Sequence, residues 1–213
     1  MAGKMTVRNP QHRVGMFVDV QNLFYAAKLL HQSKVDYGKL IREVSGGRQV
    51  VKAVAYIVQR PDVDNRSFCD ALAKMGYELR SKALKIRSDN SARGNWNVGL
   101  ALEAIQLASR LDVVALVSGD GDFEPLARAV RGMGCLFEVF SFERSVSQDL
   151  VDAADAFLPI TESVLFKEKK FERSAYDSRW QPFGPLGPVE NQAAEKGPEV
   201  APKPAAPTEN TGT

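Results

Sequence analysis

The chain alternates short apolar runs, rich in β-branched residues, with segments that carry apolar residues at helical spacing. The apolar runs lie at residues 14–20, 50–58, 77–84, 113–118, 136–140 and 156–158. The helical patterns lie between them, at residues 22–30, 37–44, 65–75, 97–110, 123–131 and 147–153. Such alternation is typical of βαβ units, whose helices cover both faces of a parallel sheet. We therefore predict an α/β fold built around a central parallel sheet.

The composition limits the chain to one ordinary globular core. Of its 213 residues, 44% are hydrophobic and 25% are charged, and a second full domain would leave each domain unusually small. Seven of the eleven prolines lie from Pro182 onward, in a stretch without apolar periodicity. Such a stretch cannot bury enough surface to offset the entropy of ordering it. We predict a domain over residues 13–166, a charged linker over 167–179 and a disordered tail rich in Pro, Ala and Glu over 180–213.

Charge and cysteine usage indicate which partners and which cellular compartment to expect for the protein. The 28 Lys and Arg residues against 26 Asp and Glu give a net charge of +2, so any basic surface for nucleic acid must be local. Cys69 and Cys135 lack zinc-ligand spacing and are expected to be free thiols. The polar N-terminal segment is unlike a secretory signal, and no apolar run reaches the ~20 residues of a membrane span. We expect a cytoplasmic protein with no membrane partner.

Acidic and amide residues follow two of the predicted strands. The first run ends in FVDVQNLF, which contains Asp19 and Asn22, and the fourth ends in VSGDGDFEPL, which contains Asp120 and Asp122. In an open parallel sheet, ligands bind beyond the carboxyl ends of the strands, where the strand order reverses. If the first and fourth strands are neighbours there, three carboxylates converge, and a hard cation such as Mg²⁺ or Mn²⁺ would relieve their repulsion. Such an ion activates water for phosphodiester hydrolysis.

The order of these motifs resembles the NYN domain family, particularly its LabA-like branch within the PIN-like nuclease superfamily. The resemblance spans about residues 13–161 and also includes RGNWNVGLALEAI, VSGDGDFEPLARAVRGMG and SQDLVDAADAFLPI. It implies a PIN-like, Rossmannoid three-layer sandwich with a central parallel sheet of five or six strands, and a Mg²⁺ or Mn²⁺ site that cuts RNA. By motif match, Asp19, Asp120 and Asp122 correspond to the acids of the metal site, and Asn22 to the polar residue beside the first of them.

The middle motif departs from the usual family pattern. Where the pattern has an acidic residue followed six positions later by another, this chain has Asn97 and then Glu103. An amide oxygen can ligate a metal but brings no negative charge and cannot act as a base. Either the site works with fewer acids, in which Asn97 and Glu103 assist, or catalysis is weakened while binding remains.

A basic segment leads into this middle motif. It carries Arg80, Lys82, Lys85, Arg87 and Arg93 with only Asp89 opposing them, and Trp96 follows at once. Cations beside an exposed aromatic ring are typical of surfaces that hold single-stranded RNA by backbone contact and base stacking. The alternative is an exposed edge strand protected by charge.

The sequence therefore favours a metal-dependent ribonuclease that acts on single-stranded RNA. The main alternative is a catalytically weakened NYN module that binds RNA or a protein partner without cutting. A phosphatase is less favoured, because Asp19 lacks a second acid two positions later and no phosphate-binding Gly-x-x-x-x-Gly-Lys loop is present. The sequence leaves open a protein partner for the C-terminal tail and a homo-oligomer.

Overall fold

A central parallel sheet forms the middle layer of the molecule. The computed structural model describes residues 8–59, 63–86, 92–93 and 95–166, and the predicted linker and tail lie outside these residues. The sheet has six strands in the described residues, all parallel, namely β1 Arg13–Asp19, β2 Gln49–Gln59, β3 Glu78–Ala83, β6 Val113–Val117, β7 Leu136–Ser141 and β8 Ala156–Pro159. Their order across the sheet is β3-β2-β1-β6-β7-β8. The prediction of an α/β fold with five or six parallel strands is confirmed.

Helices cover both faces of this sheet. They are α1 Val20–His31, α2 Tyr37–Ser45, α3 Arg66–Lys74, α4 Asn97–Ala108, α5 Glu124–Gly132 and α6 Gln148–Ala153. Buried residues of α1, α2 and α3 pack in one hydrophobic core, and those of α4, α5 and α6 pack in a second core on the opposite face. All five residues of β6 are fully buried, as expected for a strand with a core on each side. Each buried aliphatic side chain contributes about 1.5–3 kcal/mol relative to exposure.

Two features of the fold were not predicted from the sequence. A short antiparallel hairpin, β4 Lys85–Ile86 and β5 Ala92–Arg93, follows the edge strand β3. Three 3₁₀ turns, Gly121–Phe123, Glu143–Ser145 and Glu162–Val164, follow β6, β7 and β8. The first of these turns lies in the loop that carries the second pair of aspartates.

The strand order brings together two distant segments of the chain. β1 pairs with β6 in parallel register, so that Val14 lies beside Val113 and Val18 beside Val117. From these two strands the chain continues in opposite directions across the sheet, towards β2 on one side and towards β7 on the other. The carboxyl ends of β1 and β6 therefore flank the point where the strand order reverses, which is the usual ligand-binding position in such sheets.

A buried ion pair connects the opposite, amino ends of the strands. Arg48, just before β2, donates two hydrogen bonds of 2.7 Å to the carboxylate of Glu138 on β7, and both side chains are almost fully buried. The bidentate geometry satisfies both charged groups away from water.

Two further sequence predictions can be compared with this structure. Cys69 and Cys135 are free thiols, as predicted. Among the described residues, no helix is both long and apolar enough to cross a lipid bilayer.

Candidate active site at the carboxyl edge of the sheet

Asp19 ends β1 and caps the helix that follows. Its carboxylate accepts a hydrogen bond of 3.1 Å from the backbone N–H of Asn22, which satisfies one of the free amides at the start of α1. The pKa of Asp19 is raised from 3.8 to about 6, chiefly by burial and also by the negative charge of Asp120, although hydrogen bonds from the backbone N–H groups of Asn22 and Gln21 lower it. The surroundings of Asp19 therefore offset only part of the free-energy cost of its negative charge.

Asp120 lies in a tight loop after β6. Its Oδ1 accepts a hydrogen bond of 3.0 Å from the backbone N–H of Asp122, which starts the 3₁₀ turn. Gly119 precedes it, and a Cβ at that position would lie only 2.0 Å from the backbone oxygen of Ser145. Only glycine therefore allows this loop to approach the 3₁₀ turn after β7 so closely, and this contact fixes the position of Asp120.

Asn22 links the ends of β1 and β6. Its side-chain Oδ1 accepts a hydrogen bond of 3.0 Å from the backbone N–H of Gly119, 97 positions later in the chain. The oxygen that could have bound a metal is therefore already engaged with the backbone. Asn22 fixes the loop of Asp120 relative to Asp19, which makes it a positioning residue.

Asn97, the first residue of α4, contacts both later aspartates. Its Nδ2 donates a hydrogen bond of 2.8 Å to Asp120 Oδ2 and a longer one of 3.4 Å to Asp122 Oδ2. An acidic residue could not make these contacts, because a carboxylate at neutral pH has no hydrogen to donate. The amide thus joins two carboxylates without adding a negative charge.

These residues surround an open pocket of about 260 Å³. The residues that line it are Asp19, Gln21, Asn22, Tyr25, Tyr56, Val58, Asn95, Trp96, Asn97 and Asp120. The described lining therefore contains two carboxylates and no Lys, Arg or His. Asp122 instead lines a neighbouring concavity with Glu124, Asp149 and Asp152.

The three aspartates do not form the three-carboxylate group that the sequence predicted. Among the described residues, no group of three His, Cys, Asp or Glu side chains is arranged to hold a metal ion. The physical reason is the 3₁₀ turn, which directs Asp122 towards the neighbouring concavity while Asp120 faces the pocket. The remaining donors, two carboxylates in a pocket lined by amides, still suit a hard cation such as Mg²⁺, which binds through one or two carboxylates and keeps several waters.

Glu103 lies behind the pocket wall. Its carboxylate accepts a hydrogen bond of 2.9 Å from the hydroxyl of Tyr56 and forms an ion pair of 2.6 Å with Arg80. The sequence predicted that Glu103 assists at the metal site, but its oxygens are engaged with these two partners and it does not line the pocket. The contacts indicate that Glu103 holds Tyr56 in place.

Lys82 contacts two residues of the pocket lining, Asn95 and Trp96. The Lys82 ammonium donates to the backbone oxygen of Asn95 and lies 4.9 Å from the centre of the Trp96 ring. Trp96 also donates a hydrogen bond of 2.9 Å to the backbone oxygen of Ile57. The expectation of an exposed ring is wrong, because these contacts half-bury it. Its role in RNA binding stays a prediction, and so does that of Lys82.

The other predicted RNA-binding residues lie where less of the chain is described. The backbones of Lys85 and Arg93 are paired across the β4–β5 hairpin. Their side chains, and all of Arg87, lie outside the described residues.

Sequence reasoning missed five residues of the pocket lining: Gln21, Tyr25, Tyr56, Val58 and Asn95. Gln21 and Tyr25 are four positions apart on α1 and so share a helix face, a spacing that could have revealed them once Asp19 was placed. Tyr56 lies beside Asp19 in the β1–β2 register. Its place within an apolar run gave no sign of a pocket residue.

Comparisons with known proteins match the chain to a domain family and to two relatives. The model of the NYN domain matches residues 13–161. The chain is 28% identical over 169 residues to the low amplitude and bright protein LabA of Synechococcus elongatus, covering 74% of this chain and 88% of that one. It is 24% identical over 172 residues to the uncharacterized protein MJ0482 of Methanocaldococcus jannaschii, covering 80% of this chain and 64% of that one.

A solved structure is similar as well. It is the crystal structure of VPA0982 from Vibrio parahaemolyticus, a protein of unknown function. The TM-score is 0.68 at 34% sequence identity, and the match covers 76% of this chain and all of that one.

Proposed function

Because this chain belongs to the NYN domain family, of the nuclease type, we propose that it is a metal-dependent ribonuclease that hydrolyses phosphodiester bonds of single-stranded RNA. The observation that carries the proposal is the pocket at the carboxyl ends of β1 and β6, which is lined by both Asp19 and Asp120 and by no basic residue among the described residues. Two half-buried carboxylates that share a pocket without a cation repel each other, which favours binding of a divalent ion.

Each residue of the pocket has a distinct part in this proposal. Asp19 and Asp120 would hold Mg²⁺ or Mn²⁺, which when bound lowers the pKa of a water and neutralises charge on the phosphate. Asn22 keeps the two carboxylates in register by its bond to Gly119. Asn97 orients Asp120 by donating to the Oδ2 atom.

Lys82 supports the proposal of RNA as substrate. Its ammonium contacts two residues of the pocket lining, at the backbone oxygen of Asn95 and over the ring of Trp96. An RNA backbone passing over these residues would meet a positive charge before reaching the acidic pocket, and such a contact does not depend on sequence.

A cleavage assay tests the proposal. Purified protein is incubated with labelled single-stranded and hairpin RNA in Mn²⁺, Mg²⁺ or EDTA. We expect cutting that requires the metal and is lost in Asp19→Asn and Asp120→Asn, but kept in Asp70→Asn, which changes an exposed carboxylate of α3 that does not line the pocket. Cutting that persists in EDTA or in Asp19→Asn would contradict the proposed site.

The second candidate is an NYN module that binds RNA or a protein partner without cutting. The observation that favours it is Asn97, an amide in the place of the expected acid. In this case the wild type retains RNA without cutting it, and Asn97→Asp gains metal-dependent cleavage. If the protein neither retains nor cleaves RNA, binding of a protein partner is the one of these functions that remains.

A further inference from the structure

One side of α4 carries an exposed apolar stripe. Val98 is 72% exposed and Leu102 is 55% exposed, while Ile105 is partly exposed. The spacings of four and three positions place these residues on the same side of the helix. Apolar residues scattered singly over a surface are common, whereas a continuous apolar surface marks a place that another segment covers.

The stripe carries no charge. Glu103 is the one charged residue of α4, and it lies about 100–160° around the helix from the stripe, where it pairs with Arg80 of β3. A surface helix ordinarily has charged and polar residues on the side that faces water. The exposed side of α4 therefore has the composition of a contact surface.

The size of the stripe favours a peptide over a second folded protein as its partner. α4 has 12 residues, so it is ~18 Å long and ~10 Å wide, which gives a contact surface of roughly 200 Å². Each partner in a stable protein complex buries about 800 Å². A segment of the same chain needs less contact area, because its tether raises the local concentration to roughly the millimolar range.

The C-terminal part of the chain contains a segment of matching composition. Residues 180–189 read WQPFGPLGPV, and an apolar residue recurs there at every third position: Trp180, Phe183, Leu186 and Val189. This period differs from those of a helix and a strand and equals the three residues per turn of a polyproline II helix. In that conformation the four apolar side chains share one side.

We propose that residues 180–189 dock on the apolar stripe of α4 in the same chain, in an extended polyproline II conformation. At ~3.1 Å per residue, the distance from Phe183 to Val189 is ~19 Å, which matches the ~18 Å of α4. Neither the stripe nor residues 180–189 contain a charged residue, so their contact desolvates no charge. The prolines favour the extended conformation in advance, which lowers the entropy lost on docking.

The chain is long enough for this contact. Fourteen residues lead from Phe166, the last described residue, to Trp180, and an extended chain of that length reaches roughly 46–50 Å. A domain of about 150 residues has a radius of gyration of about 15 Å, so it is roughly 40 Å across. Because Val98 directly follows Asn97, the docked segment lies beside the candidate active site. The inference does not depend on whether that site cuts RNA.

Proteolysis of the full chain tests the proposal. Chymotrypsin cleaves after aromatic residues, and mass spectrometry measures the rate of cleavage after Trp180. A synthetic peptide of residues 175–195 gives the rate for the undocked segment. We expect the full chain to be cut at least roughly threefold more slowly than the peptide, because cleavage follows the undocked fraction.

Substitutions on α4 and a matched control locate the contact. Leu102→Asp places a charge in the stripe and should raise the rate of cleavage to that of the peptide. Val98→Asp should do the same, and an acid in the first turn of a helix is favourable, so this variant tests the contact without weakening α4. Leu29→Asp makes the same change at a leucine of α1 that is 69% exposed, and it should leave the wild-type rate. Thermal unfolding shows that each variant is folded.

Three results would overturn the proposal. Cleavage of the wild type at the rate of the peptide would show that the segment is not docked. Slow cleavage that both α4 variants retain would show that the segment is covered elsewhere. Slow cleavage that is lost on dilution would assign the contact to a second copy of the chain and not to the same one.

Discussion

Asp19→Asn should stabilise the metal-free protein, although it is expected to abolish function. The substitution keeps the shape of the side chain and an oxygen that can accept the hydrogen bond from Asn22 N–H at the start of α1. It removes a negative charge from a buried position next to Asp120. The cost of keeping that charge in the folded state disappears with it.

The size of the effect follows from the pKa of Asp19. In the folded protein burial raises this pKa from 3.8 to about 6. A difference of roughly two units corresponds to about 3 kcal/mol. The folded state binds the proton more tightly than the unfolded state, so this carboxyl group destabilises the wild type progressively as the pH rises from about 4 to about 6. Above that range the whole cost is present.

Urea unfolding across the pH range measures the prediction. Near pH 4 the wild type and Asp19→Asn should have similar free energies of unfolding, and at pH 7 the variant should be more stable by up to about 3 kcal/mol, or roughly 6–12 °C in melting temperature. Addition of Mn²⁺ should stabilise the wild type by mass action and have little effect on the variant.

The control is Asp70→Asn, which changes an exposed carboxylate on α3 and should not alter the pH dependence. A variant that is less stable than the wild type at pH 7 in EDTA would refute the reasoning, because Asp19 would then be compensated within the folded protein. Equal stabilisation of both proteins by Mn²⁺ would show that the ion binds away from Asp19.

Three other substitutions test the contacts around the site and the ion pair at the amino ends of the strands. Asn22→Ala leaves the N–H of Gly119 without its acceptor and should lower the free energy of unfolding by about 1–3 kcal/mol in urea melts, and unchanged stability would contradict the link. Glu103→Gln breaks a partly exposed ion pair, so we expect the free energy of unfolding to fall by about 1 kcal/mol while RNA cleavage is retained. Loss of cleavage at unchanged stability would instead indicate that Glu103 takes part in catalysis. Glu138→Gln leaves Arg48 buried and unpaired, and should cost about 3–5 kcal/mol by the same measurement; a cost below 1 kcal/mol would argue against burial of the pair.

The fold could be predicted because its signals are local. The apolar run at residues 113–118 became β6, which is buried along its whole length, and the helical pattern at 97–110 became α4. The hairpin after β3 was missed because its strands are only two residues long and carry no periodicity. The period of the apolar pattern therefore predicts the long elements but not the short ones.

The candidate site was predictable only as far as the strand order determines it. The adjacency of β1 and β6 brings Asp19 and Asp120 to one edge, as expected from the chain reversal at that point. The direction of Asp122 was not predictable, because it depends on a 3₁₀ turn held by the packing of Gly119 against the loop after β7. Side-chain direction within a loop depends on contacts between distant segments.

The basic segment shows the same limit. Between Arg80 and Arg93 the sequence has Asp89 as the only acid, which made the segment resemble an RNA-binding stripe. In the structure Arg80 is paired with Glu78 and Glu103, the second of which comes from α4. Charges that are isolated along the chain can be neutralised across it, so a basic run in a sequence overestimates the free positive charge of the folded surface.

The balance of charge in the pocket bears on whether Asn97 is compatible with catalysis. The amide and backbone N–H groups that contact Asp19 and Asp120 orient these carboxylates but are neutral, so two negative charges remain in the pocket. One divalent ion matches these two charges. An acid at position 97 would add a third charge and would lose the hydrogen bonds that the Asn97 amide donates to Asp120 and Asp122. With an amide at this position the two carboxylates already balance the charge of one divalent ion, and the proposed nuclease does not require a carboxylate there.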